Sequence, residues 1–450
     1  MQALEKISKN KYLKFAVFAF MFVCWLLPFV DKGNYMTYEV IGQIGIGVLA
    51  FVFLILFKDI YLVLEIVLLF PFTFSHSMTV DNMLYQYHLF VVVGIVLLGL
   101  IIHMIIYKQK PNKPKFLLGF IAIAVSLALG GLLYESEGKV TNMLLLGGLG
   151  FAFILLYIFL SASTKPTFRE LSALITYLGV FLLLQMLVFY LMPGNADLFL
   201  KVKHLDIGWA NNGNSFSIIM LACFPFTFYA ACNNKRGYKS FTLYTLCILE
   251  IFSIIVTFSR GAILAAFVSY LCFVIAAIIH KGYRKKMLWF VWTGVLTLCG
   301  IIIFVYLYDK TILDAAIKNI TAINLNSING RVPIYTKMLE ELKEQPIFGF
   351  GMFHSFGQGG TEEIPYLWGH NTFIHAAYTL GLLGFGAMVF HHIQKYLFCF
   401  KNRRFEKVVL FFSFLATDIY GFIDVSYFFI NFMIVLLIIL IMSDNSLREV

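Results

Sequence analysis

Apolar runs separated by short polar breaks fill almost the whole chain, and most are near the roughly 17–25 residues that a membrane-crossing helix needs. The pattern predicts fourteen such segments, over 15–30, 41–57, 60–74, 89–107, 116–134, 143–161, 171–192, 213–232, 240–258, 261–279, 287–307, 371–392, 407–425 and 427–442. The third and the last are short, so twelve or thirteen crossings is the alternative reading. One interval breaks the pattern. From Tyr308 to Asn371 the chain turns polar. It holds Arg331, an amphipathic stretch over 331–345, a glycine-rich passage (Gly349, Gly351, Gly357, Gly359, Gly360) and the pair His370-Asn371, where apolar sequence resumes. The expected organisation is helices one to eleven over 1–307, a large loop over 308–370, and three more helices with a short tail over 371–450.

Composition narrows the class. The 450 residues are 60% hydrophobic and 13% charged, with a mean hydropathy of +0.85. Soluble domains are about 45–50% apolar and about 25% charged, so the expectation is an all-α polytopic membrane protein. The 17% aromatic content suits lipid-facing and interfacial positions. The run over 15–30 follows a basic start and is not succeeded by a small-x-small cleavage site, so it is expected to remain as the first helix. The seven cysteines lie in or beside apolar segments and form no CxxC pair, which predicts neither a disulfide framework nor a zinc site.

The net charge of +10 would suit nucleic acid, but its placement argues for topology instead. With a cytoplasmic N-terminus and every segment crossing, 24 of the 34 Lys and Arg residues fall on the cytoplasmic side. Basic and nearly uncharged short loops then alternate, as the positive-inside rule requires. Both termini are expected in the cytoplasm, with the bilayer and its anionic lipids as the partners of the charge. Three stretches converge on the outer face. They are the long loop, the connection over 193–212 with Lys201, Lys203, His204, Asp206 and Trp209, and the tight turn over 257–262 with Arg260.

Arg260 has two readings. An interfacial arginine can snorkel to headgroups. Yet a buried arginine costs about 2.5–3.5 kcal/mol at mid-bilayer unless it is paired or faces a cavity, and Gly261-Ala262 leave room beside it for a bulky ligand. A guanidinium grips phosphate oxygens with two parallel hydrogen bonds. Arg331 follows Asn329-Gly330 at a predicted helix start, with Pro333 in the first turn. Tyr335, Met338, Leu339 and Leu342 would form one face of a helix lying across the outer surface, apolar side down. Arg331 is then either a solvated cation or part of an anion site with the helix N–H groups.

His370 reads either as a structural interfacial histidine or as the group that binds or deprotonates a sugar hydroxyl. Asn371 beside it, His375 one turn on, and Tyr366 and Trp368 just before favour the second reading. No third ligand completes a metal set with His370 and His375. Glu65, Glu250 and Asp418 fall inside apolar segments and are expected to pair helices. No phosphate loop, dinucleotide fingerprint or Asp-x-Asp pair is present, which leaves ATP-driven transport and nucleotide-sugar chemistry unsupported.

The turn Ser259-Arg260-Gly261-Ala262, the loop residues Gly330-Arg331 and Pro346-Ile347-Phe348-Gly349-Phe350-Gly351, and His370-Asn371-Thr372-Phe373 ahead of Gly381-Leu382-Leu383-Gly384 resemble the O-antigen ligase and polymerase family. Gly208-Trp209-Ala210-Asn211-Asn212-Gly213-Asn214-Ser215 resembles that family's asparagine-containing start of a central helix. The likeness spans about 208–384. It implies a GT-C-like membrane glycosyltransferase that works outside the cytoplasmic (inner) membrane without a metal or other cofactor. The donor would be a polyprenyl-pyrophosphate-linked oligosaccharide and the acceptor a glycan, with a flippase and a chain-length regulator as possible partners. Arg260 and Arg331 would hold the pyrophosphate as it leaves, and His370 would act on the acceptor hydroxyl. Asn214, Lys201, Lys203, Gly349, Gly351, Tyr366, Trp368 and Asn371 would make the surrounding substrate contacts. Fourteen helices lean towards a polymerase, since ligases of this family commonly look like twelve-helix proteins. A ligase, or from another class a transporter of lipid-linked sugars or anions, is the alternative.

Overall fold

The computed structural model describes residues 10–76, 87–109, 114–133, 139–195, 204–308, 331–352, 369–402 and 404–447, with Glu5, Ile7, Ser8, Leu198, Lys310 and Asp314. Among them every regular element is helical. The first seven helices are α1 (Lys11–Val30), α2 (Tyr35–Leu56), α3 (Tyr61–Leu69, continued by a tight turn Phe70–Phe72), α4 (Tyr87–Tyr107), α5 (Leu117–Leu129), α6 (Lys139–Ser163) and α7 (Phe168–Leu191). Then follow α8 (Gly213–Cys232), α9 (Gly237–Val256), α10 (Arg260–Ile279), α11 (Arg284–Tyr308), α12 (Val332–Glu341), α13 (Thr372–Phe400), α14 (Phe405–Gly421) and α15 (Ile430–Ser446). Each of the fourteen expected segments carries a helix, and α12 lies in the polar interval. Nine helices among the described residues are long and apolar enough to cross a membrane, and α3 with its following turn, α5 and α15 are shorter apolar ones. The chain is an all-α polytopic membrane protein.

Hydrogen bonds sort the connections into two faces. On one, Ile60 N donates to Ser163 O (3.4 Å), Lys115 N to Asp444 (3.0 Å), Asn445 to the Thr164 carbonyl (3.0 Å) and Tyr229 OH to Glu406 (2.9 Å). On the other, Trp209 N donates to Phe74 O (3.2 Å), Gly131 N to Phe348 O (2.8 Å) and Asn371 to Phe422 O (3.0 Å). In chain order these connections fall alternately on one face and the other, as consecutive crossings require. A cysteine placed at Gly33 is expected to react with an impermeant thiol reagent in intact cells, and one at Lys165 only after permeabilisation. The reverse pattern would put the second face in the cytoplasm.

Helix α8 is the axis of the bundle. Its apolar stretch is 94% buried, against 28–56% for the other eight long helices. Asn212 caps it, its side chain accepting from Asn214 N (2.9 Å) and Ser215 N (3.2 Å), a cap worth about 1 kcal/mol. Two of the three expected pairing groups do join helices. Asp418 of α14 binds Lys395 of α13 (3.2 Å), and Glu250 of α9 accepts from Thr227 of α8 (2.8 Å). Glu65 is the exception, buried with no hydrogen bond among the described residues.

The largest departure from the expected helices lies in α13, which is not one straight crossing. The rings of Phe373 and His392 lie 5.3 Å apart. Along a straight helix nineteen residues would separate them by ~28 Å. The chain folds back at Gly381, whose φ of 67° and ψ of −170° belong to a region open essentially to glycine alone. The first arm, 372–380, is therefore re-entrant, and the second, 382–400, makes the crossing. A break inside a membrane bundle needs its backbone groups satisfied. The segment 346–351 supplies the bonds. Phe350 N donates to Tyr378 O (3.0 Å), Gly351 N to Thr379 O (2.7 Å) and Leu382 N to Pro346 O (2.8 Å). A β-carbon at Gly381 would sit 2.1 Å from the Ile347 carbonyl oxygen. Gly381→Ala is expected to lower the thermal unfolding midpoint in detergent by several degrees, since the conformation alone costs about 1–3 kcal/mol.

The fold-back sinks the start of α13 into the bundle. Phe373 reaches the level of His392, which is eleven residues or ~16 Å below Gly381 along the second arm. Helix α12 runs beside the first arm, with Ile334 and Met338 buried against Phe350 and Tyr378. Its apolar side thus faces protein and not the bilayer surface as expected, and Leu339 is exposed.

Candidate active site

The sunken start of α13 meets the connection 422–429, which the sequence reading had absorbed into two helices. Here α14 ends at Gly421 and α15 begins at Ile430. The N-terminal ends of four helices close on the turn between them. From α13, Asn371 donates to Phe422 O (3.0 Å) and Thr372 Oγ1 to Asp424 O (3.0 Å). From α12, the Arg331 guanidinium donates to Ile423 O. From α8, Asn214 Nδ2 donates to Asp424 Oδ2 (2.8 Å). From α10, Ser259 Oγ donates to Asn214 Oδ1 (2.7 Å), and Gly261 lies so close to Ile423 that a β-carbon there would come within 2.5 Å of its methyl. Arg331 and Gly261, the residue after Arg260, therefore both meet one residue, Ile423. Each helix N-terminus adds about half a positive charge.

The four starts differ in one respect. Asn212 caps α8, and Asn371 caps α13 through Phe373 N (2.9 Å) and Ile374 N (3.1 Å). Among the described residues α10 and α12 have no side-chain cap, and each opens on an arginine, with Arg260 the first residue of α10 and Arg331 the cap position of α12. A helix start without a cap leaves first-turn N–H groups for an anion. Two residues bordering the site hold left-handed backbones, Phe258 at φ 51° and His370 at φ 47°. For a residue as bulky as Phe258 that conformation is a genuine outlier, of the kind that clusters at functional sites. Tyr335 OH holds His370 in place through the His370 carbonyl (2.8 Å).

Asp424 is the hub. His370 Nδ1 lies 3.3 Å from its Oδ1, Tyr420 OH donates to Oδ2 (3.2 Å) and Val425 N to Oδ1 (2.8 Å). Burial alone would push this carboxyl up. The hydrogen bond and charge of His370, the Val425 N–H and the charge of Arg331 outweigh burial and hold it below the ordinary carboxylate range. An ionised Asp424 fixes the proton of His370 on Nδ1, which turns Nε2 into the basic nitrogen. The His370 side chain is 28% exposed and that of Asp424 8%, so the imidazole is the accessible member of the pair.

The structure thus brings together Arg260, Arg331, His370, Asn371 and Asn214 from the residues expected to act. Gly349 and Gly351 lie elsewhere, against the backbone of Tyr378–Gly381 at the α13 break. Their positive φ values (65° and 86°) serve the docking of 346–351. Lys201, Lys203, Tyr366 and Trp368 lie outside the described residues. The sequence reading missed Asp424. Its signal was faint, a Gly-Phe-Ile-Asp-Val-Ser interruption in otherwise aromatic sequence, and 425 had been counted as helix. It also missed Tyr427, three residues on, whose hydroxyl donates to Asp418 (2.9 Å) and so ties the turn to the Lys395–Asp418 pair.

Residues 245–389, about a third of the chain, match a family model described as O-antigen ligase. The match supports an O-antigen ligase/polymerase family. It covers Arg260, Arg331 and His370 but neither Asn214 nor Asp424. No curated protein matches the chain.

Proposed function

We propose, from the match of residues 245–389 to a family model described as O-antigen ligase, that this protein is a membrane glycosyltransferase that polymerises polyprenyl-pyrophosphate-linked oligosaccharide repeats on the outer face of the inner membrane. One observation carries the reading. Two uncapped helix starts that open on arginines lie beside a His–Asp pair at a single sunken turn.

The division of labour follows from charge. Arg260, Arg331 and the N–H groups of α10 and α12 receive the pyrophosphate, where negative charge grows as the bond from the anomeric carbon to the phosphate oxygen breaks. His370 Nε2 takes the proton of the acceptor hydroxyl, whose oxygen forms the new glycosidic bond. Asp424 orients the imidazole and stabilises the imidazolium, as in other His–Asp pairs. Its own oxygens are taken up by Asn214, His370, Tyr420 and Val425 N–H, so it is a positioning residue and not a nucleophile.

The fourteen apolar segments of the sequence favour a polymerase, whereas the description of the matched family favours a ligase that moves finished glycan to a lipid or other acceptor. Deleting the gene and sizing the carrier-linked glycans separates them. Accumulation of single repeats is the expected result. Long carrier-linked polymer left unattached would make the protein a ligase.

A further inference from the structure

A cavity of about 460 Å³ lies on the same face as the Asp424 turn but shares no lining residue with it, between the α1–α2 connection, residues 75–76 and Met192, Asn195, Leu198, His204 and Asp206. Its size falls within the about 300–1,000 Å³ of small-ligand sites. Nothing in the mechanism above uses it, and the family match does not reach it.

The lining is mixed in a particular way. Phe29 and Tyr35 offer aromatic rings, Asn195, with its amide nitrogen bound to the Phe189 carbonyl (3.0 Å), offers its side-chain oxygen as an acceptor, and Lys32 and Asp206 carry opposite charges beside the imidazoles of His76 and His204. Such a wall suits a polyhydroxylated ligand with an apolar ring face. The wall is also built to stay put. Glu39 is buried at 2% exposure and accepts from Ser75 N (3.1 Å), Ser75 Oγ (2.5 Å) and His76 Nδ1 (3.2 Å). A buried carboxylate is retained only when its bonds are satisfied, and here they fix residues 75–76 in the cavity wall.

The same wall is joined to the reaction centre. Trp25 stacks on Phe29 (4.6 Å) and donates to the Ile207 carbonyl (3.0 Å). Gly208, at φ 88°, presses on Ser75 so closely that a β-carbon would sit 2.4 Å from its carbonyl carbon. Trp209 N binds the Phe74 carbonyl (3.2 Å). The segment that leaves this wall runs on to Asn212 and Asn214, and Asn214 binds Asp424 (2.8 Å). One stretch of backbone thus borders both places.

We propose that this cavity is a saccharide subsite that holds a sugar unit of the bound glycan at a distance from the bond being made. The proposal rests on the transferase reading for its ligand class, and its test does not depend on transfer. The probe is the source cell's own surface glycan, released from its carrier by mild acid so that it bears no pyrophosphate. Binding is measured by calorimetry on the full-length protein in nanodiscs. Wild type should bind the fragment, Tyr35→Ala and Asp206→Asn should each weaken binding at least tenfold, and Arg331→Lys should leave it within twofold. Thermal unfolding of each variant checks that the fold is intact. No binding by wild type, or equal binding by folded Tyr35→Ala and Asp206→Asn, overturns the subsite. Fragment binding that is lost in these variants, in a wild-type protein that transfers no carrier-linked glycan, would overturn the transferase reading and leave the subsite standing.

Discussion

Asp424→Asn should lower the turnover of glycan transfer by about a hundredfold or more while the protein still inserts in the membrane. The substitution keeps the size and most hydrogen bonds of the side chain but removes the charge that sets the His370 tautomer and stabilises its protonated form. General acid–base assistance is worth about 10²–10⁴ in rate, so loss of its orienting group should cost much of that. His370→Ala should abolish transfer and leave carrier-linked donor binding largely intact, because its partner is the acceptor. Both are read by single-turnover transfer and donor binding on purified protein in nanodiscs. Near-normal turnover in Asp424→Asn would reduce the His–Asp contact to a structural one. Loss of donor binding in His370→Ala would put the histidine on the other substrate. The sign of the pH dependence follows from the depressed Asp424. What its ionised form contributes is fully present above the ordinary carboxylate value near 3.9 and disappears as pH falls through its lower native value. The Asp424 contribution should therefore be lost in thermal unfolding only below about pH 4, where the stability gap between wild type and Asp424→Asn should close.

Arg260→Lys and Arg331→Lys should each lower turnover at least tenfold. Lysine keeps the charge but offers no planar fork for two phosphate oxygens. At Arg331 it also gives up the guanidinium contact to the Ile423 carbonyl. Losing a charge-assisted contact to a leaving group costs a few kcal/mol, and about 1.4 kcal/mol is tenfold in rate. Transfer kinetics with carrier-linked repeats measure this directly. If both lysine variants turn over normally, these arginines are interfacial anchors and the anion site is elsewhere.

The helices were legible because their cause is local. A run of about twenty apolar residues has no stable place in water whatever its neighbours do, so each of the fourteen segments could be read without knowing the packing. Arg260 and His370 stood out for a related reason, since a polar group at an apolar boundary is conspicuous, and Arg331 because it opens an amphipathic stretch. The break at Gly381 was not legible. A glycine between leucines reads as helix, and what opens it is the set of backbone bonds that residues 346–351 bring from another part of the chain.

The sequence by itself determined the class of molecule and where its apolar helices run, because hydrophobicity belongs to single side chains. The tertiary structure alone decided that the start of α13 is sunk into the bundle, that Gly261 and Arg331 meet at Ile423, and that Asp424 lies against His370. Those are relations between residues up to 210 positions apart, as in Asn214 and Asp424. No period or propensity along the chain encodes such a distance, and it comes into being only when the four helix starts close on one turn.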